Sequence, residues 1–135
     1  MKKLAVTGLF ALIFLSGCGS FKSHMYLDRP IGGETWKLGE LAVISWTYDD
    51  WWGSCCHAAD IYVRDSVSGQ LTLIVKKSQS QIQENRATSS WRVGTLPSSG
   101  EKIILPAGAY TFRACDNWGG EIGLCDESGI VKIVE

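Results

Sequence analysis

Leu41-Ala42-Val43-Ile44-Ser45-Trp46-Thr47-Tyr48 decides the fold. Successive side chains of a strand point to opposite faces, so Ala42, Ile44, Trp46 and Tyr48 share one side of an extended chain. The same alternation recurs downstream. Ala59, Ile61 and Val63 oppose Asp60, Tyr62 and Arg64, and Ser89, Trp91 and Val93 share a face. Tyr110, Phe112 and Ala114 line one side of 109–115, as Val131 and Ile133 do in 129–134. Leu71 to Val75 is a short apolar run after the turn Ser66-Val67-Ser68-Gly69. Period-2 runs separated by Gly, Ser, Asp and Pro turns predict a β-sandwich. Trp46 and Trp91 are predicted core residues, and Trp36 core or edge packing. The polar stretch from Gln79 to Asn85 is expected to be a loop, as is Pro97 to Gly100. Leu105-Pro106-Ala107-Gly108-Ala109-Tyr110 turns into a strand, and Tyr110 resembles a tyrosine corner whose hydroxyl bonds back to upstream backbone.

Composition agrees with one globular domain. The chain has 135 residues, 45% hydrophobic and 20% charged, with 15 glycines and 6 tryptophans. Thirteen basic against 14 acidic residues leave a net charge of -1 and no basic stripe, which argues against a nucleic-acid partner.

The first residues read as an address. Met1-Lys2-Lys3 is basic, and Leu4 to Leu15 has the length of a signal-peptide apolar region, too short for a good membrane span. Leu15-Ser16-Gly17-Cys18 resembles the bacterial lipobox, in which cleavage precedes a cysteine that then carries lipid. The expected organisation is a signal peptide over 1–17, a lipidated tether over 18–25 and a sandwich over 26–135. Gly19 in place of Asp, by resemblance to Gram-negative lipoproteins, implies the outer membrane rather than the inner. The seven residues from Cys18 to His24 extend at most about 25 Å, so the domain is expected close to its membrane.

With Cys18 assigned to lipid, Cys55, Cys56, Cys115 and Cys125 remain, an even number in an exported chain and so two expected disulfides. Adjacent Cα atoms lie about 3.8 Å apart, which disfavours a Cys55–Cys56 bond. Cross-pairing of the 55–56 segment with Cys115 and Cys125 is expected in preference to Cys115–Cys125 alone, the alternative being a hairpin clasp. Adjacent cysteines suit neither tetrahedral zinc nor a Cys-x-x-Cys redox motif.

Arg29-Pro30-Ile31-Gly32-Gly33-Glu34-Thr35-Trp36-Lys37-Leu38-Gly39-Glu40, then Ile44-Ser45-Trp46-Thr47, is similar to the N-terminal immunoglobulin-like module of yeast cell-wall synthesis proteins and Ser/Thr-rich GPI-anchored proteins. Trp91-Arg92-Val93, Leu105 to Ala114 and Ser128 to Ile133 extend the resemblance over roughly 27–134. It implies an all-β, immunoglobulin/fibronectin-III-like antiparallel β-sandwich in an envelope or cell-surface setting, and no particular activity. The chain departs from that pattern in Asp49 to Ala58 and Asp116 to Glu127.

In a sandwich of that order these two segments are loops at one end, and the expected cross-links would tie them together. Trp51, Trp52 and Trp118 would then lie near Asp49, Asp50, Asp116, Glu121 and Asp126. Two roles are open to the tryptophans. They cover the disulfides as a satellite core, or they stack on sugar rings while carboxylates such as Asp116 accept hydroxyl hydrogen bonds. The acidic residues lack EF-hand spacing, and neither His24 nor His57 has an evident nucleophile beside it. The expectation is therefore a non-catalytic outer-membrane lipoprotein without cofactor or metal. Its partner would be the membrane through Cys18, with a cell-wall glycan or an envelope protein as ligand. An assembly accessory of the outer membrane and a small hydrolase inhibitor are the alternatives.

Overall fold

The computed structural model describes residues 24–49, 58–116 and 125–135. Among the described residues, ten strands form two facing sheets, joined by turns and one short 3-10 turn at Lys77–Gln79. The first sheet runs β1 (His24–Arg29), β3 (Leu41–Asp49), β7 (Arg86–Arg92), β6 (Gln81–Gln83). The second runs β2 (Thr35–Lys37), β10 (Val131–Val134), β8 (Gly108–Cys115), β4 (Asp60–Asp65), β5 (Leu71–Val75), with β9 (Cys125–Glu127) also paired to β8. The chain is an all-β sandwich. β1 begins at His24, inside the segment 18–25 read from sequence as a tether.

Alternation places the core where the pattern predicts it. Ala42, Ile44, Trp46 and Tyr48 are buried on β3, facing Ile61 and Val63 of β4 and Tyr110, Phe112 and Ala114 of β8 across the interior. Trp36 is buried with Trp46 and Trp91. Trp36, Trp91 and Phe112 form an aromatic triangle. The two tryptophans meet Phe112 edge-on, with centroids 5.1 and 5.7 Å away, and lie 6.3 Å from each other. Edge-to-face contacts of this kind contribute about 0.5–1.5 kcal/mol each beyond area burial. The Trp91 indole N–H donates to the Thr95 carbonyl at 3.0 Å, so its polar edge is satisfied inside the core. The Tyr110 hydroxyl donates to the Pro106 carbonyl at 2.8 Å, the corner expected from sequence.

The polar stretch from Gln79 to Asn85 differs from the expected loop. Gln81–Gln83 is an edge strand, in register with Arg86 to Thr88 of β7. Its side chains are all exposed, so hydrophobic patterning carries no signal there; the pairing is made by backbone alone.

The motif around Pro30 is the crossover between sheets. After β1 pairs with β3, the chain passes to the second sheet, where β2 runs parallel to β10. The crossing is tight at Gly32, where a Cβ would lie 2.6 Å from the Gly129 Cα and φ is +117°. Only glycine fits both the contact and the dihedral. The Glu34 carboxylate accepts the Ile31 and Gly32 amides, both at 2.8 Å, and Trp36 then enters the core. Burial pushes the Glu34 carboxyl up, but these amides and the nearby Arg29 charge outweigh it, so its pKa is lowered. The spacing Gly-Gly-Glu-x-Trp thus has a local cause: close approach, amide capping, then an indole anchor.

Candidate functional site

Four chain ends converge at one end of the sandwich. His24 pairs with Asp49 across β1 and β3, Asp60 with Cys115 across β4 and β8, and Cys115 with Cys125 across β8 and β9. The Leu27 amide donates to Asp126 Oδ2 at 2.7 Å, and farther along the Gly129 amide donates to the Ile31 carbonyl at 2.8 Å. These bonds lay the N-terminal segment alongside β9 and β10 in the same direction, so the His24 end of one sheet coincides with the Cys125 end of the other. The chain leaves the described residues after Asp49 and Asp116 and returns at Ala58 and Cys125, all at this end.

Cys115 and Cys125 are bonded to each other, with Cα atoms 4.2 Å apart and a sequence separation of 10. This overturns the expected cross-pairing with Cys55 and Cys56. The reason is register. Ser128 N–H donates to the Phe112 carbonyl, and the Phe112 amide donates to Ser128 Oγ, marking 112 and 128 as a hydrogen-bonding position. Three residues on, Cys115 and Cys125 face each other in a non-hydrogen-bonded pair, where cross-strand side chains stand closest.

Asp126, expected to lie beside a binding surface, is occupied within the chain, and two other carboxylates near it are occupied as well. Asp126 holds the Leu27 amide. Asp60 Oδ1 accepts the Lys77 amide at 2.8 Å. On the outer face of the second sheet, Glu127 accepts the Thr111 hydroxyl at 2.6 Å and the Arg64 guanidinium at 3.2 Å. The Thr111 hydrogen bond holds the Glu127 carboxyl below its ordinary range against the opposing effect of burial, aided by Arg64 and Arg113. The structural roles of Glu34, Asp126 and Glu127 leave no mark in the sequence, because a carboxylate that caps backbone or pairs across strands has no spacing signature.

Asp116 is half-buried beside the clasp, its Oδ1 shielded from water, and Asp49 is exposed at the mouth. Cys18, Cys55, Cys56, Trp51, Trp52 and Trp118, with Asp50 and Glu121, lie outside the described residues. Among the described residues there is no group of three His, Cys, Asp or Glu able to hold a metal ion. An open groove of about 510 Å³ runs along the β6–β7 hairpin, lined by Gln81 to Arg86 and Thr88. The Glu84 backbone there has a φ of 55°. The same end also carries a stacked aromatic pair, His24 and Tyr26, with centroids 6.2 Å apart and Tyr26 48% exposed.

No family model matches the chain, and no curated protein matches it.

Proposed function

We propose that this is a non-catalytic, lipid-anchored envelope protein of a Gram-negative bacterium. In this proposal 1–17 is a cleaved signal peptide, Cys18 carries the lipid in the outer membrane, and an immunoglobulin-like domain does binding or scaffolding work. The strand order β1-β3-β7-β6 against β2-β10-β8-β4-β5 supports the immunoglobulin type, since the first strand pairs in one sheet and its continuation joins the other beside the last strand. The observation that carries the binding reading is that Asp49, Asp60, Cys115 and Cys125, which flank the stretches containing Trp51, Trp52 and Trp118 in sequence, lie at one end, with a disulfide joining the last two. Envelope glycan is the proposed ligand class, taken by aromatic stacking with Asp116 as acceptor.

Soluble oxidised domain 19–135, titrated with peptidoglycan and a glycan panel, tests this. Binding lost in Trp51→Ala/Trp52→Ala/Trp118→Ala at an unchanged thermal midpoint supports it. No binding by the parent domain rejects the glycan reading. Retention of Cys18→Ser in the membrane fraction rejects the anchor. One observation favours a second reading, an assembly accessory. Leu41, Val43, Ile103 and Ile104 are exposed apolar side chains toward the opposite end, and Leu41 is 67% exposed. A stoichiometric protein partner recovered from membranes, and lost on Leu41→Lys, would select that reading.

A further inference from the structure

The register of the strands fixes where a lipid anchor enters the domain. His24 is the first residue of β1 and sits opposite Asp49, at the end where Asp116 and Cys125 also lie. The other end carries the turn Asp65 to Gln70, closed by the Gly69 amide on the Asp65 carbonyl at 2.8 Å, and the C-terminal residues after Val134. The N- and C-terminal ends of the domain are therefore at opposite poles.

Two lengths decide the orientation. The segment from Cys18 to His24 reaches at most about 25 Å. β3, from Leu41 to Asp49, runs nearly the full height of the sandwich, about 27 Å at ~3.4 Å per residue. A chain tethered at His24 is thus too short to run back along the domain and set the far pole on the bilayer. We propose that the His24–Asp49 pole is the membrane-proximal pole, held within tether length of the lipid headgroups but open to glycan, while the 65–70 turn and the C-terminus point away. The inference rests on the acylation of Cys18 proposed above. The surface chemistry of the pole is consistent with it. Tyr26, half-exposed and stacked on His24, is the residue type that settles at a headgroup boundary, with an apolar ring and a polar tip.

The test uses the full-length acylated protein in vesicles containing a nickel-chelating headgroup lipid. A nitroxide is attached through a ketone-bearing unnatural residue, leaving all cysteines native. One label replaces Gln83, in the exposed hairpin at the membrane-proximal pole, and another replaces Val67, 95% exposed in the far turn. Relaxation enhancement by headgroup nickel is expected at 83 and is expected to be lost at 67. Acylated, vesicle-bound protein with equal enhancement at both positions means that the domain lies on its side, and overturns the orientation while leaving the anchor intact. Enhancement greater at 67 overturns it outright. A chain that carries no lipid and does not float with the vesicles removes the anchor, and both proposals fall.

Discussion

Tyr110→Phe removes one hydroxyl and leaves a ring of almost the same shape. The lost bond is the 2.8 Å contact to the Pro106 carbonyl, which ties the start of β8 to the turn before it. A neutral intramolecular hydrogen bond contributes about 0.5–1.5 kcal/mol net. Pro106 is exposed, so water can take up the freed carbonyl, and the cost is expected in the lower half of that range, about 0.5–1 kcal/mol. For a domain of this size about 1 kcal/mol corresponds to roughly 4–8 °C in Tm. A second consequence separates the hydroxyl from the ring. Burial raises the Tyr110 pKa above its ordinary 10.0, and the Asp65 charge raises it further. A raised pKa means that the folded state favours the neutral phenol. That contribution is fully present below pH 10.0 and is lost as pH rises through the higher folded value. Urea unfolding, followed by the fluorescence of the buried tryptophans at neutral pH and through a series above pH 10, measures both effects. The parent domain should lose more stability than Tyr110→Phe over the alkaline part of the series. Equal stability at neutral pH together with parallel alkaline loss would refute the corner as a stabilising contact.

Removing both clasp cysteines, as Cys115→Ala/Cys125→Ala, should cost about 2–3 kcal/mol in chain-entropy terms for so short a loop. Non-reducing peptide mapping of the parent should recover Cys115 joined to Cys125. Gly32→Ala should destabilise by about 1–3 kcal/mol or more, because the new methyl meets the Gly129 backbone at a positive φ; denaturant melts measure it. Glu34→Gln and Glu127→Gln should each flatten the acid limb of the stability profile. The folded pKa of each is lowered from 4.5, so the parent's extra stability is present above that value and is lost as pH falls through the depressed one. Trp91→Ala should cost about 3–5 kcal/mol through the cavity left against Trp36 and Phe112, read as a shift in urea midpoint.

The strands legible in the sequence are those with one face in the core. Ile44, Trp46 and Tyr48, or Tyr110, Phe112 and Ala114, alternate because water is excluded from one side only. Gln81–Gln83 escaped notice because both its faces meet solvent. The last strand is interrupted for a physical reason. Its register with β8 slips by one residue between Glu127 and Val131, and Ser128 Oγ takes over the place of a backbone acceptor. The disulfide pairing was hidden for a related reason, since counting cysteines gives combinations, whereas strand register gives neighbours. Asp126 read from sequence as part of a ligand surface, yet it holds the Leu27 amide, a contact between residues 99 apart in the chain. Its neighbour Glu127 holds Thr111 and Arg64.

The parallel pairing of β2 with β10 has a mechanical meaning. Lys132, Ile133 and Val134 lie beside Thr35, Trp36 and Lys37, and the two ends of the domain leave from opposite poles. A pull between the two termini therefore draws β2 and β10 past each other along their length, and β1 likewise along β3. Hydrogen bonds set across such a pull carry the load together rather than opening one after another. Resistance to force is governed by the unfolding rate rather than by equilibrium stability. The weak point under tension is thus the short β2–β10 seam, and the indole of Trp36, sunk into the core beside it, is its bolt.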